Sequence, residues 1–199
     1  MVLVFATSNK GKLHEAAEIL GEGYILKTPA ELGITGEIPE TGQTLSANSM
    51  QKARYVHDRA GALICFADDT GLEVDALGGA PGIYTARYAG EGHDFDANID
   101  KLLSELGRLP EGTPRTARFR CVVTLITPDE TVQFEGIMNG RISMARSGGG
   151  GFGYDPVFIA DEYPDRCVAE LGDEAKNAIS HRGKSLRAMA AWLREHYAV

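Results

Sequence analysis

The sequence predicts an α/β fold with a partly antiparallel sheet. Three observations carry that expectation: a strand–helix–strand start, two long strand-like runs flanking Pro128-Asp129, and helical and strand periods that alternate along the whole chain.

Each element has its own signal. Residues 2–6 are apolar and read as a first strand, too short and without the basic leader of a signal peptide. Residues 12–20 place apolar side chains at helical spacing, and 24–28 form a second strand. Gly36, Pro39 and Gly42 mark a loop. Thr44 caps a long helix that runs to residue 60, with Gly61 as its stop. Residues 63–67 form a buried strand that ends at Asp68-Asp69-Thr70-Gly71, and Gly78-Gly79-Ala80-Pro81-Gly82 breaks the chain again. Residues 94–106 are helical, with Leu102, Leu103 and Leu106 on one face. Residues 117–127 and 131–142 form a β-hairpin. Residues 180–197 form an amphipathic helix with Leu186, Met189, Ala190 and Leu193 inward. The chain shows no internal repeat and no low-complexity linker. Its 199 residues suit one domain or one two-lobed unit.

Composition excludes several function classes. Net charge is −8, which disfavours broad nucleic-acid binding but leaves room for a local basic site. Cys65, Cys121 and Cys167 are odd in number and widely spaced, so neither a zinc site nor a disulfide framework is expected; three reduced thiols in a cytoplasmic protein fit better. No apolar run approaches the roughly 20 residues of a membrane span. His14, His57, His93 and His196 lack metal-ligand spacing.

The run Gly148-Gly149-Gly150-Gly151-Phe152-Gly153-Tyr154-Asp155-Pro156 is the densest signal. Glycines let backbone pass close to a ligand, and the aromatics can stack on a planar ring. A flexible hairpin loop is the plainer reading. Gly148, Gly150 and Gly153 fit the dinucleotide fingerprint by spacing, but a turn and a short apolar strand follow rather than a helix. Gly183-Lys184-Ser185 ends like a phosphate-binding loop, yet Ala178 stands where that loop needs glycine.

Three polar clusters can carry chemistry. Thr7-Ser8-Asn9-Lys10-Gly11-Lys12 joins the first strand to the first helix, where short polar side chains, free N–H groups and two lysines suit an anion. A plain N-cap turn is the alternative. Asp68-Asp69 is expected at the end of a buried strand, where two carboxylates need a cation. Magnesium bridging a triphosphate would supply one, with Glu40 as a further ligand. An Asp-rich turn is the alternative. Lys176 and Ser180-His181-Arg182-Gly183-Lys184 form the third cluster. Ser180 is the expected N-cap, and cations in the first helical turn oppose the helix dipole, a mismatch expected where function overrides local stability. A basic solvated helix start is the alternative.

The order of these motifs carries a resemblance. Thr7-Ser8-Asn9 with Lys12, Ala67-Asp68-Asp69-Thr70-Gly71-Leu72, Leu77-Gly78-Gly79-Ala80-Pro81-Gly82-Ile83-Tyr84 with Ala86-Arg87-Tyr88, Gly151-Phe152-Gly153-Tyr154-Asp155-Pro156 and Ser180-His181-Arg182-Gly183 follow one another along almost the whole chain. In this it resembles the inosine triphosphate pyrophosphatase family. The resemblance implies a two-lobed α/β fold, with a long mixed central sheet flanked by helices and an active-site cleft between the lobes. It implies a homodimer and magnesium-dependent conversion of dITP, ITP and XTP to the monophosphate and pyrophosphate. By position, residues Thr7, Ser8, Asn9, Lys10, Gly11 and Lys12 match the triphosphate loop. Asp69 matches the proposed general base, with Glu40, Asp68 and Asp69 near the metal, and Thr70 matches a substrate contact. Phe152, Gly153, Tyr154, Asp155, Lys176, His181 and Arg182 match the nucleobase pocket.

Two departures stand out. Relatives carry Glu-Glu before Thr-Gly, whereas here Pro39 precedes Glu40. Relatives also carry Glu-Asn-Ala, whereas here Ala47-Asn48-Ser49 precedes Lys52-Ala53. Lys52 remains available to neutralise phosphate. The competing readings are a pyrophosphatase for other modified nucleotides and, given Ala47, an inactive nucleotide-binding sensor.

Overall fold

The computed structural model describes residues 1–197. Val2–Phe5 form β1, Lys10–Leu20 α1, and Ile25–Lys27 β2. Leu45–Ala60 form α2, and Cys65–Val74 form β3. Pro81–Gly82 form the short β4, and Phe95–Gly107 form α3. Thr116–Ile126 form β5, Thr131–Ile142 β6, and Phe158–Ala160 β7. Asp173–Ile179 form α4 and His181–His196 form α5. The sheet order is β2-β1-β3-β5-β6-β7, with β4 on β3. β1 is parallel to β2 and β3, whereas β4 is antiparallel to β3 and β7 to β6. The sheet is therefore mixed, as expected.

Local chemistry explains the helix ends. Asn9, Thr44 and Asp94 cap α1, α2 and α3 by accepting the N–H of the residue three positions on. Gly61 ends α2 with φ 70°, a conformation that costs glycine little. Between β5 and β6 the Thr127 hydroxyl accepts the N–H groups of Asp129 and Glu130, which sets the turn.

The chain divides into two units. The first comprises residues 1–69, 121–136 and, of the described residues, 181–197. Here the alternation of β1 and β3 builds two cores. Leu3, Phe5 and Phe66 pack with Ala16 and Leu20 of α1 and with Leu186, Met189 and Leu193 of α5. Val4, Cys65 and Ala67 pack with Ala53 and Val56 of α2. The Phe5 and Phe66 rings stack with centroids 4.4 Å apart. Burial on both faces explains why residues 3–6 of β1 and its following loop and residues 65–67 of β3 are continuously apolar.

The second unit comprises residues 70–120 and 137–180. Its core joins Leu72 and Val74 to Ile99, Leu102 and Leu106 of α3 and to Phe119, Met138 and Phe158.

Three expectations change. β3 does not end at residue 67 but runs through Asp68-Asp69-Thr70-Gly71 to Val74. Asp and Gly are poor strand formers, but cations neutralise these carboxylates and Leu72 and Val74 continue the buried pattern. The acidic pair thus lies inside a strand, not in a terminal turn. The helix expected at 180–197 is preceded by α4, and Ser180 is the extended break between them, its N–H closing α4 on the Lys176 carbonyl at 2.9 Å. Part of the Gly78–Gly82 break is itself the strand β4.

Candidate active site

In the first unit the loop after β1 is organised by its own side chains. The Asn9 N–H donates to the Thr7 hydroxyl at 3.1 Å, and Asn9 Oδ1 accepts the Lys12 N–H at 3.1 Å. α1 starts at Lys10, so Lys10, Gly11 and Lys12 form its first turn rather than the loop. That turn holds no acidic residue, leaving the positive end of the helix uncompensated by its own sequence. Ser8 and Lys10 are exposed.

Lys12 reaches from this turn to β3, its Nζ 3.0 Å from Asp68 Oδ1. Arg182, in the first turn of α5, donates from Nε to Asp68 Oδ2 at 3.1 Å and from Nη1 to Glu15 of α1. Asp68 and Arg182 are each 2% exposed. Burial works against the Asp68 charge, but Lys12, Arg182 and Lys52 hold its carboxyl well below the usual range. Burial also opposes the guanidinium charge, yet Asp68 and Glu15 raise the proton affinity of Arg182.

Asp69 is held separately. Lys52 of α2 places Nζ 2.9 Å from Asp69 Oδ1 and also donates to Glu40. Burial pushes the Asp69 carboxyl up, against Lys52 and Lys12. Burial lowers the Lys52 ammonium, but Asp69, Asp68 and Glu40 more than offset it. Lys52 is thus a single ammonium that serves two carboxylates, Asp69 and Glu40. The site is short of positive charge. Its hard carboxylate oxygens and that deficit fit magnesium, with Glu40 and Asp69 as the residues that would hold it. The two Asp68 oxygens are each held by a cation, Oδ1 by Lys12 and Oδ2 by Arg182.

Glu15 escaped the sequence reading. Its signal was an acid on the apolar stripe of α1, one turn before Ile19 and beside Ala16. A buried Glu without a cation is costly, and Arg182 supplies that cation here.

The second unit holds the other predicted residues. Asp155 Oδ2 accepts the Phe152 N–H at 2.9 Å and lies 2.8 Å from Lys176 Nζ. Lys176 Nζ sits 4.6 Å from the centre of the Phe152 ring, and Phe95 packs on the same ring at 6.4 Å. Tyr154 is not an exposed platform: it is buried in the core and donates to the Thr85 carbonyl at 2.9 Å. Two glycines of the run serve close approach within the protein. A Cβ on Gly151 would lie 2.1 Å from Asp155 Oδ2, and one on Gly148 would lie 2.6 Å from the Ala169 backbone. Gly153 has φ 63° with open space around it. Thr70 follows Asp69 on β3 and is half-buried. His181 is buried at the start of α5, where its carbonyl lies so close to β6 that only glycine fits at Gly136.

The sequence profile of the Ham1 family matches residues 3–192. The chain is 47% identical over 191 residues to the dITP/XTP pyrophosphatase of Porphyromonas gingivalis, covering 96% of each. It is 46% identical over 192 residues to that of Bacillus subtilis, again covering 96% of each. Among solved structures, the Staphylococcus aureus Ham1 protein superposes with a TM-score of 0.87 at 38% identity, covering 98% of this chain and 100% of that one. The nucleoside-triphosphatase / dITP/XTP pyrophosphatase of Mycobacterium abscessus gives 0.75 at 40% identity, covering 97% and 99%.

Proposed function

The chain belongs to the Ham1 family, and from that premise we propose that it hydrolyses dITP, ITP and XTP to the monophosphate and pyrophosphate. The observation that carries this reading is the pairing of a cation-deficient carboxylate site, Asp69 and Glu40 on Lys52, with an acid-free helix start that holds Lys12. Such a pairing suits a metal-bound polyphosphate.

Lys12, the first turn of α1 and the Thr7–Asn9 loop take the phosphates, and Lys52 adds charge. Glu40 and Asp69 would hold magnesium, which neutralises phosphate oxygens when bound. Asp69, with its raised proton affinity, takes the proton of the attacking water as general base. Asp68 keeps Lys12 and Arg182 in place.

Phe152 offers a face for the base and Lys176 a donor beside it. His181 and Arg182 donate to the 6-keto oxygen; Asp68 and Glu15 fix the plane of the guanidinium for that task. Adenine presents an amino group where hypoxanthine presents an acceptor, and each opposed, unpaired donor costs roughly 1–3 kcal/mol. A cytoplasmic homodimer belongs to the same proposal; Cys65, Cys121 and Cys167 are buried thiols outside any disulfide, which suits a reducing compartment. Among the described residues no helix is long and apolar enough to cross a membrane.

The test is pyrophosphate release from ITP with magnesium and after chelation. Release that stops on chelation and returns with magnesium supports the reading. Release that persists without a divalent cation contradicts it.

A further inference from the structure

Glu40 reaches Lys52 from a loop that has no regular secondary structure, so something must hold that loop. Two carboxamides on α2 do so. Asn48 is 1% exposed, and its Oδ1 accepts the Gly42 N–H at 2.7 Å. Gln51 Oε1 accepts the Thr41 N–H at 2.9 Å, and Gln51 Nε2 donates to the Thr41 hydroxyl at 3.0 Å. Residues 48, 51 and 52 are spaced i, i+3 and i+4, so they share one face of the helix. Glu40 immediately precedes the two clamped residues, and its carboxylate meets the third residue of that face, Lys52. Gly42 is required for this fit. A Cβ there would lie 2.8 Å from both Ala47 Cβ and Asn48 Oδ1.

We propose that Asn48 and Gln51 are positioning residues that clamp the 39–42 loop so that Glu40 and Asp69 converge on one cation. The clamp replaces water as the partner of two backbone donors, which fixes the loop in register along α2. Without it Glu40 is a mobile surface carboxylate, and the site loses one of its two oxygen donors. Gln51 is the cleaner probe because it is only half-buried. The inference rests on the proposed pyrophosphatase reading for its activity arm, but not for its structural arm.

The experiment compares the parent with Gln51→Leu and Gln51→Glu. Glu keeps an acceptor for the Thr41 N–H, whereas Leu does not. Amide hydrogen exchange in the full chain reads the clamp directly. In Gln51→Leu the Thr41 amide is expected to exchange about tenfold faster, while the core of β3 is unchanged. Kinetics on ITP read its consequence. In Gln51→Leu the magnesium concentration for half-maximal rate is expected to rise about threefold to tenfold, and kcat to fall with KM nearly unchanged. Gln51→Glu restores Thr41 protection and most of kcat. Unchanged Thr41 exchange in Gln51→Leu overturns the clamp. Faster exchange with unchanged kcat and magnesium dependence overturns its positioning role. A parent enzyme that releases no pyrophosphate from ITP refutes the functional reading alone, since the exchange arm still decides the clamp.

Discussion

Asp68 and Asp69 are consecutive on β3 yet hydrogen-bond to different cations, Asp68 to Lys12 and Arg182 and Asp69 to Lys52. Successive side chains of a strand point to opposite faces, which explains the division. Asp68 faces α1 and α5, and Asp69 faces α2. The two carboxylates therefore have different jobs, and their variants should fail differently.

Asp69→Asn removes the base and one candidate metal ligand while keeping the shape of the side chain. Turnover of ITP is expected to fall by at least about a hundredfold, the scale of general-base loss, with the folded protein retained. Steady-state kinetics with thermal melting checks this. Near-normal kcat would remove Asp69 from the base role.

Asp68→Asn should instead cost stability. It leaves Arg182 and Glu15 in a buried set short of one carboxylate, a break worth about 3–5 kcal/mol. The pH dependence has a definite sign. The folded pKa of Asp68 is depressed, so its contribution is complete above its unfolded value of about 4 and is lost as pH falls below it. Asp69 is raised and acts oppositely, its contribution being lost as pH rises through the folded value. Urea denaturation of parent and variant across acid pH should therefore show curves that converge as pH falls. Parallel curves would mean that Asp68 carries no linked proton.

Lys12→Ala separates phosphate from base recognition. Binding of ITP should weaken far more than binding of inosine, measured by calorimetry, because only the nucleotide carries the charge that Lys12 meets. Equal weakening would show that the α1 start reads something other than phosphate.

Arg182 tests base choice. Because the guanidinium is pinned by Asp68 and Glu15, Arg182→Ala would strand both acids, so Arg182→Lys is the informative variant. It keeps the charge and loses the planar fork. The ratio of kcat/KM for ITP over ATP should shrink by a factor corresponding to roughly 1.5–3 kcal/mol. An unchanged ratio would move the base-reading role to His181 or Lys176.

The elements that the sequence made legible are those with local punctuation. Thr44 and Gly61 bound α2 at the expected residues, and Pro128-Asp129 marks the β5–β6 turn. α4 was missed because seven residues give too little periodicity, and Asp173-Glu174 reads as loop. β3 was cut short because acidic residues and glycine are scored locally, whereas the charges that tolerate them come from residues 12, 52 and 182. The site is legible to the same degree. Residue types and order pointed to Lys12, Asp69 and Arg182, but the pairing of Arg182 with Glu15 is set by the packing of α1 on α5. Tyr154 was expected beside a ligand ring, and its burial depends on contacts with Thr85 and the second core that no local pattern encodes.

The central claim is that the chain cleaves the triphosphates of deaminated purines to pyrophosphate and spares ATP. The direct test is kcat/KM for pyrophosphate release from ITP, XTP and dITP against ATP, with magnesium present. Pyrophosphate and monophosphate are expected as products, with a preference of at least about a hundredfold for the first three over ATP. Comparable values for ATP and ITP, or orthophosphate as the product, would contradict it.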